Sequence, residues 1–453
     1  MSVLDAVLLV ATVALAITLV AAPRIGRRAA PFALPVLVIY ALLLAIVEDY
    51  YWHWLPAYLL IAVMFAFVMT AGAGKRVLFR SGIGVLAALS LLPWALPPVP
   101  ELPEPTGPYA VGSEIFRWVD ESRPEPVTAA DDRRNVVAQA WYPAEQVSGR
   151  QYVYLDGDGR LPDRVSMIPG FVLSNYSHID TNAAADVDVA PERERWPVVL
   201  FSPGYGAPRA FYTGLATDLA SRGFVVLAVD HPYESGVTEL ADGTVATTVE
   251  NIAADDPDQL RYMTERLDTR TADLRFVLDQ LGRPDTLGPL AGRVDLAQVT
   301  AIGHSLGGAA ALSALSTDPR LTAAANIDGT LYGDLTERSL DRPVLLLESD
   351  HDVTGHSARY TDGNNAVLHR LRAPGFRYEI TDADHYGFAD VHQFLAAPVR
   401  VVARNLFAGS RDAVDTQRTA NDILVPFLRG EHAAIAAAAA AHPGVEGGPV
   451  AGR

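Results

Sequence analysis

The first hundred residues alternate long apolar runs with short polar breaks. Val3 to Ala22, Pro31 to Val47, Trp54 to Ala71 and Gly82 to Leu96 are almost wholly apolar. The first and third suffice to cross a hydrocarbon core of about 30 Å, and the second and fourth are borderline and need flanking help. The pattern predicts an all-α membrane bundle of about four helices over residues 1–97. Asp5 stands near the start of the first run with no basic segment ahead of it, which argues against a cleaved signal peptide and for an anchor.

After Pro97 the period changes. Prolines at 97, 98, 100, 103 and 105 predict a stiff linker over residues 98–107. Short apolar segments then recur at Val198–Ser202, Val299–Ile302, Ala323–Ile327, Pro343–Ser349 and Phe376–Ile380, with helical stretches at Arg209–Ser221 and Gln259–Leu281 between them. That alternation predicts an α/β domain over residues 108–430, a mostly parallel sheet with helices on both faces. Residues 157–195 and 233–258 break the rhythm and are expected to be insertions, the second helping to wall a pocket. The tail, 431–453, holds an alanine run followed by Pro and Gly and is expected to fray into disorder.

Charge orients the apolar runs. Arg24, Arg27 and Arg28 lie between the first and second, and Lys75, Arg76 and Arg80 between the third and fourth. Glu48, Asp49 and an aromatic cluster lie between the second and third. Basic loops stay in the cytoplasm, so four spans in the plasma membrane place the following domain outside the cell. Residues 1–100 carry 6 of the 36 basic and 3 of the 53 acidic residues. The remaining 30 and 50 make the large domain strongly acidic, which excludes nucleic acid as a partner. There is no cysteine, hence no disulfide or thiol chemistry.

Gly303-His304-Ser305-Leu306-Gly307 carries the chemistry. An apolar run precedes it and a small-residue helix follows, the context of a nucleophile elbow in an α/β-hydrolase domain. A serine needs a base, an acid to orient the base, and an oxyanion hole. In this fold the chain order is Ser, acid, His. His385, on a loop after the last predicted strand, is the candidate base. Asp328 and Asp350 both end predicted strands, with Asp352 close by, and strand-end position alone does not separate them. Asp350, His351, Asp352 and His356 match no compact metal-ligand spacing. The loop Pro203-Gly204-Tyr205-Gly206 follows a strand, so the backbone N–H groups of Tyr205 and Leu306 are the candidate oxyanion donors. No cofactor or metal is implied.

The chain resembles the plasma-type platelet-activating factor acetylhydrolases and their bacterial relatives. The residues that carry the resemblance are Pro105–Gly112, Trp118-Val119-Asp120, Ser122-Arg123, Trp141-Tyr142-Pro143, Phe201–Gly206, Leu219–Phe224 and the elbow. It spans about three quarters of the chain, to near Leu428. It implies Asp328 as the acid, on the strand after the nucleophile helix, with Ser305, His385, Tyr205 and Leu306 in the roles above. It also implies esters of lipids, short-chain or oxidised acyl phospholipids in particular. Pro203-Gly204-Tyr205 departs from the His-Gly-Leu of animal members and is similar to polyester and cutinase-like hydrolases. A general or polyester carboxylesterase is therefore the alternative, and a non-catalytic membrane sensor or scaffold the second alternative.

Overall fold

The computed structural model describes the chain except residues 1–2, 48–51, 71–75, 93–95, 97–98, 129–130, 146–148, 158–160, 166–167, 250–255, 397–398, 402–408 and 451–453. It falls into two compact units, residues 1–100 with 394–400, and residues 101–393 with 401–453.

The first unit holds helices α1 (Val3–Ala21), α2 (Pro23–Val47), α3 (Leu55–Thr70) and α4 (Arg76–Leu89). Only Ala22 separates α1 from α2. Gly26 permits that tight hairpin, because a Cβ there would stand 2.7 Å from the Leu19 Cα. Arg24, Arg27 and Arg28 thus form the opening turns of α2 rather than a loop. Among the described residues, three helical segments are long and apolar enough to cross a membrane: Leu4–Ala21, Pro23–Ile46 and Trp52–Met69. The fourth is shorter than its apolar run. At 14 residues it reaches only about 21 Å. Gly82 and Gly84 weaken it and Pro93 lies ahead, where a helix does not continue readily. Leu8, Leu19, Leu34, Leu60 and Met64 interlock inside the bundle, while Val10, Phe32, Val36, Ile39 and Ile46 face outward. Helices apolar on every side suit a lipid solvent.

The second unit is built on strands β1 (Ala110–Pro124), β2 (Arg133–Ala144), β3 (Trp196–Ser202), β4 (Val225–Asp230), β5 (Val294–His304), β6 (Ala323–Ile327), β7 (Val344–Ser349), β8 (Gly375–Ile380) and β9 (Val445–Val450). Their order across the sheet is β9-β8-β7-β6-β5-β3-β4-β2-β1, extended past β1 by two-residue strands at Ala184–Ala185 and Arg150–Gln151. The six strands from β4 to β8 pair in parallel, β2 runs antiparallel to both β1 and β4, β9 runs antiparallel to β8, and β1 pairs in parallel with the Ala184–Ala185 strand. Helices α5 (Thr213–Ser221), α6 (Gln259–Leu281) and α7 (Leu306–Thr317) are followed by the short α8 (His351–Thr354), then α9 (Ala358–Arg370), α10 (Ala413–Leu428) and α11 (His432–Ala440). Leu274, Val277 and Leu278 of α6 join Ala310, Ala311 and Ala314 of α7 and Val299 and Ala301 of β5 in one continuous core. The alanines of α7 let the helix lie close to the sheet. This is an α/β-hydrolase fold.

The chain order reverses between β3 and β5, so the loops after these two strands flank the crevice where open α/β sheets gather their ligands. Of the two predicted insertions, 157–195 contributes 3-10 turns and two-residue strands, and 233–258 a small hairpin, Thr238–Glu239 with Val245–Ala246. The tail differs from expectation. Its alanines form α11 and its last described residues form β9, paired antiparallel with β8 from Ile380↔Val445 to Gly375↔Val450. Alanine is the strongest helix former, and β8 offers an open edge whose backbone groups need partners. Gly447, at φ 122°, allows the close approach, since a Cβ there would stand 2.1 Å from the Arg377 carbonyl oxygen.

Candidate active site

Ser305 stands between β5 and α7 at φ 55° and ψ −127°. A non-glycine residue is strained there, and the neighbours explain how it is held. A Cβ on Gly303 would lie 2.3 Å from Gly307, and one on Gly307 would lie 1.9 Å from the Ser202 carbonyl oxygen. The turn closes only with hydrogens at both positions. The Ser305 N–H donates to the Ile327 carbonyl at 2.8 Å. Leu306 opens α7, so its N–H is among the helix N-terminal donors without an intrahelical acceptor.

Asp328 follows β6 and also lies at positive φ, 54°. Its carboxylate is buried and accepts five hydrogen bonds. Oδ1 accepts from Ser349 N at 2.9 Å, His356 Nε2 at 2.9 Å and Tyr360 Oη at 3.1 Å. Oδ2 accepts from Ser349 Oγ at 2.8 Å and His385 Nδ1 at 2.6 Å. Burial pushes the carboxyl up, but the bonds from His356 and His385 outweigh it and hold the group well below the usual carboxylate range. It is an anion with one oxygen on His385.

His385 opens a 3-10 turn, His385–Phe388, whose N-cap is Asp384. Its side chain is 27% exposed, against 0% for Asp328. Asp350, the competing acid, is committed elsewhere. It caps α8 by accepting from Asp352 N and Val353 N, and it accepts from Asp382 N at 2.7 Å.

The loop after β3 lies beside the elbow, since a Cβ on Gly204 would stand 3.4 Å from the Ser305 Cβ. The Gly204 N–H donates to Tyr212 Oη at 3.0 Å, and Tyr212 Oη meets His304 Nδ1 at 2.8 Å. His304 Nε2 donates to the His385 carbonyl at 2.9 Å. That carbonyl can only accept, so Nδ1 takes the Tyr212 hydroxyl proton. Burial lowers His304 to a pKa of about 3, with His385 adding to the effect, so the ring is neutral. One chain of bonds thus ties the Gly204–Tyr205 loop, the elbow and the histidine loop together. The Tyr205 side chain is anchored apart from it, with its hydroxyl 2.7 Å from that of Tyr262.

His304, Asp328 and His385 are, among the described residues, the one group of three whose ligand atoms lie within 4.8 Å of one another. Both nitrogens of His304 and Nδ1 of His385 are already engaged in hydrogen bonds, those of His304 with Tyr212 and the His385 carbonyl and that of His385 with Asp328. The Asp350–His356 stretch does not converge on one point: Asp350 turns to backbone amides, while His356 turns to Asp328.

The structure therefore brings Asp328 to His385, sets Ser305 on a strained elbow beside the Tyr205 loop, and turns Asp350 away. His304, Tyr212, Ser349, His356 and Tyr360 were not singled out for the site from the sequence. His304 had a signal, its place inside the elbow. The others come from separate elements and meet only in three dimensions. Such an arrangement can orient an imidazole beside a serine hydroxyl, with backbone donors near the place where an oxyanion forms.

The family model for platelet-activating factor acetylhydrolase, isoform II, matches residues 98–276 and 277–357, more than half of the chain. A probable 1-alkyl-2-acetylglycerophosphocholine esterase of Arthroderma benhamiae is 28% identical over 251 residues, 53% of this chain and 61% of that protein. A platelet-activating factor acetylhydrolase of Cavia porcellus is 27% identical over 180 residues, 35% of this chain and 41% of that protein. The match thus spans less than two thirds of either relative's length. The solved ferulic acid esterase from Streptomyces cinnamoneus superposes with a TM-score of 0.65 at 27% identity, over 77% of this chain and 99% of that one.

Proposed function

The chain belongs to the platelet-activating factor acetylhydrolase family, isoform II, and from that premise we propose that it is a membrane-anchored serine esterase acting on carboxylic esters of lipids, short-chain or oxidised acyl phospholipids first among them. In this reading Ser305 attacks the ester carbonyl. His385 takes the serine proton and returns it to the leaving alcohol, and water repeats the cycle on the acyl-enzyme. Asp328 holds the imidazole and stabilises its charged form. The N–H groups of Tyr205 and Leu306 receive the tetrahedral oxyanion. The observation that carries the proposal is the 2.6 Å contact from His385 Nδ1 to the buried Asp328 carboxylate, next to a serine on a strained elbow.

A second reading is a broader carboxylesterase for soluble or polymeric esters. The ferulic acid esterase likeness and the Pro203-Gly204-Tyr205 loop favour it. A hydrolysis panel separates the two: short-chain phospholipids, p-nitrophenyl esters of rising chain length, and a polyester film. Phospholipid cleavage with the highest kcat/KM supports the first reading. Cleavage of simple esters alone supports the second. No hydrolysis and no fluorophosphonate labelling of Ser305 overturns both in favour of a sensor or scaffold.

The membrane reading rests on the three apolar segments long enough to cross. With basic residues in the opening turns of both α2 and α4, the catalytic domain is extracytoplasmic only if α4 also crosses. A reporter active only outside the cell, fused after Leu428, should be active. Activity of a cytoplasm-only reporter there means that α4 does not cross.

A further inference from the structure

Asp328 is held by two imidazoles. His385 takes Oδ2, and His356 takes Oδ1 at 2.9 Å from its Nε2. His356 lies on the segment between α8 and α9, and its side chain is only 6% exposed. Its ring stacks on Tyr360 with centroids 3.8 Å apart and planes 2° from parallel. The Tyr360 hydroxyl shares the same Oδ1. On the far side, His356 Nδ1 faces His351 Nδ1 at 3.2 Å. The Ser349 hydroxyl, between the two oxygens of this site, also touches Thr354 and His356. The groups facing His356 are therefore Asp328 from the turn after β6, Tyr360 from α9, His351 from α8 and Ser349 from β7.

An ionised carboxylate only accepts, so His356 donates its Nε2–H. Nδ1 then carries the lone pair in the neutral ring, and His351 Nδ1–H can supply its donor. Every ring nitrogen that faces a partner is satisfied, and the stack on Tyr360 fixes the plane. The consequence is electrostatic. The charge of Asp328 is divided between its two oxygens, and each donor on Oδ1 draws some of it away from Oδ2. What remains on Oδ2 determines how strongly a proton on His385 is stabilised.

We propose that His356 is a positioning residue that orients the Asp328 carboxylate and sets the basicity of His385 through it. The proposal rests on the reading of Ser305, His385 and Asp328 as the reacting set. Removing the donor on Oδ1 concentrates charge on Oδ2, so His385 holds its proton to higher pH.

The test is the pH profile of kcat/KM for a p-nitrophenyl ester, on the full chain in detergent. His356→Leu removes the donor and should move the acid limb upward by about half to one pH unit, with plateau kcat down about tenfold and KM within about twofold. His356→Gln restores an N–H donor without a titrating ring and should return the limb most of the way toward wild type. Tyr360→Phe deletes the other side-chain donor on Oδ1 and should shift the limb in the same direction by less, which keeps the test in force if His356→Leu does not fold. A limb that stays in place in both His356→Leu and Tyr360→Phe, or one that moves equally in His356→Leu and His356→Gln, overturns the proposal. Ser305→Ala and Asp328→Asn are run alongside. If these retain activity, the underlying reading fails; if they are dead and the limb is unmoved, only this inference fails.

Discussion

Two Ser–His–Asp sets stand beside one sheet, and the buried one, whose Asp273 comes from α6 rather than a strand end, has the more complete geometry. Ser202 Oγ lies 2.9 Å from His231 Nε2, and His231 Nδ1 lies 2.9 Å from Asp273 Oδ2. All three residues are 0% exposed. At the other set, His385 reaches Asp328 at 2.6 Å, but the Ser305 hydroxyl makes no hydrogen bond to His385 among the described residues. Such a bond commonly tightens only with substrate in place. The side-chain types and the histidine nitrogen that meets the acid are the same; the surroundings are not. Asp273 also takes Arg134 at 2.6 Å and Arg123 at 2.8 Å. Burial, Arg270 and Arg134 outweigh Asp273 and lower His231 to a pKa of about 3. Arg270 donates to the Pro203 carbonyl at 2.6 Å and pairs with Glu234. This set is a brace. It fixes the end of β3, whose Ser202 carbonyl packs against the elbow glycines. What sets the Ser305 group apart is a strained turn that presents the serine, a histidine that solvent reaches, and an acid that, among the described residues, pairs with imidazoles rather than guanidinium groups.

The comparison is tested most severely at the two serines. Ser305→Ala should abolish fluorophosphonate labelling and cut kcat by several orders of magnitude, on the scale of about 10⁶ seen for a triad serine. Ser202→Ala should keep the labelling and most of the turnover, with a stability loss of about 1 kcal/mol in chemical denaturation. If Ser202→Ala is the dead variant, the two roles are reversed.

The two acids should separate along different axes. Asp328→Asn keeps the shape but loses the charge that stabilises the imidazolium, a cost of about 10⁴ in kcat. Asp273→Asn leaves Arg134 buried with Glu125 as its remaining carboxylate, so it should cost about 3–5 kcal/mol of stability and reduce rate mainly through loss of folded protein. Denaturant midpoints measured beside kcat at matched folded fraction check both.

Acid should weaken the brace. His231 has its pKa lowered on folding from 6.5 to about 3. The unfolded chain therefore binds a proton that the folded one refuses, and this contribution is complete above pH 6.5 and lost as pH falls toward 3. Denaturation curves between pH 7 and pH 4.5 should show that decline, and His231→Gln should flatten it by up to about 3 kcal/mol. Equal slopes in both proteins would remove His231 from the account. Asp390 works in the opposite sense. Burial raises it to about 7 despite bonds from Gly214 and Tyr154, so its contribution is present at low pH and lost as pH rises through 7.

The smallest effect should come from the carboxylate that competes with Asp328 on paper. Asp350→Asn weakens the cap of α8, at about 1 kcal/mol or less, and should leave kcat within about twofold of wild type. A loss of rate larger than that of Asp328→Asn would transfer the acid to Asp350 and align the chain with polyester- and cutinase-type hydrolases.

Much of this molecule is legible in order along the chain. The apolar runs, the strand–helix alternation, the elbow and a histidine on a late loop all depend on residues close in sequence, where side-chain size and period act directly. Helix α6 occupies Gln259–Leu281 as its pattern predicts. The run that ends in α4 came out shorter, and the tail came out ordered. Each outcome depends on a local feature that composition hides, two glycines in one case and an open β8 edge in the other.

The sequence by itself determined that a serine sits between two glycines at a strand–helix junction, because that turn excludes any other side chain at Gly303 and Gly307. It did not separate Asp328 from Asp350, since both end parallel strands. Tertiary structure separated them by hydrogen-bond supply: Asp350 is saturated by three backbone amides, while Asp328 turns to His385 and His356. It also made one Ser–His–Asp set a brace and left the other open to solvent, because burial and ion pairing depend on which distant residues pack around a group.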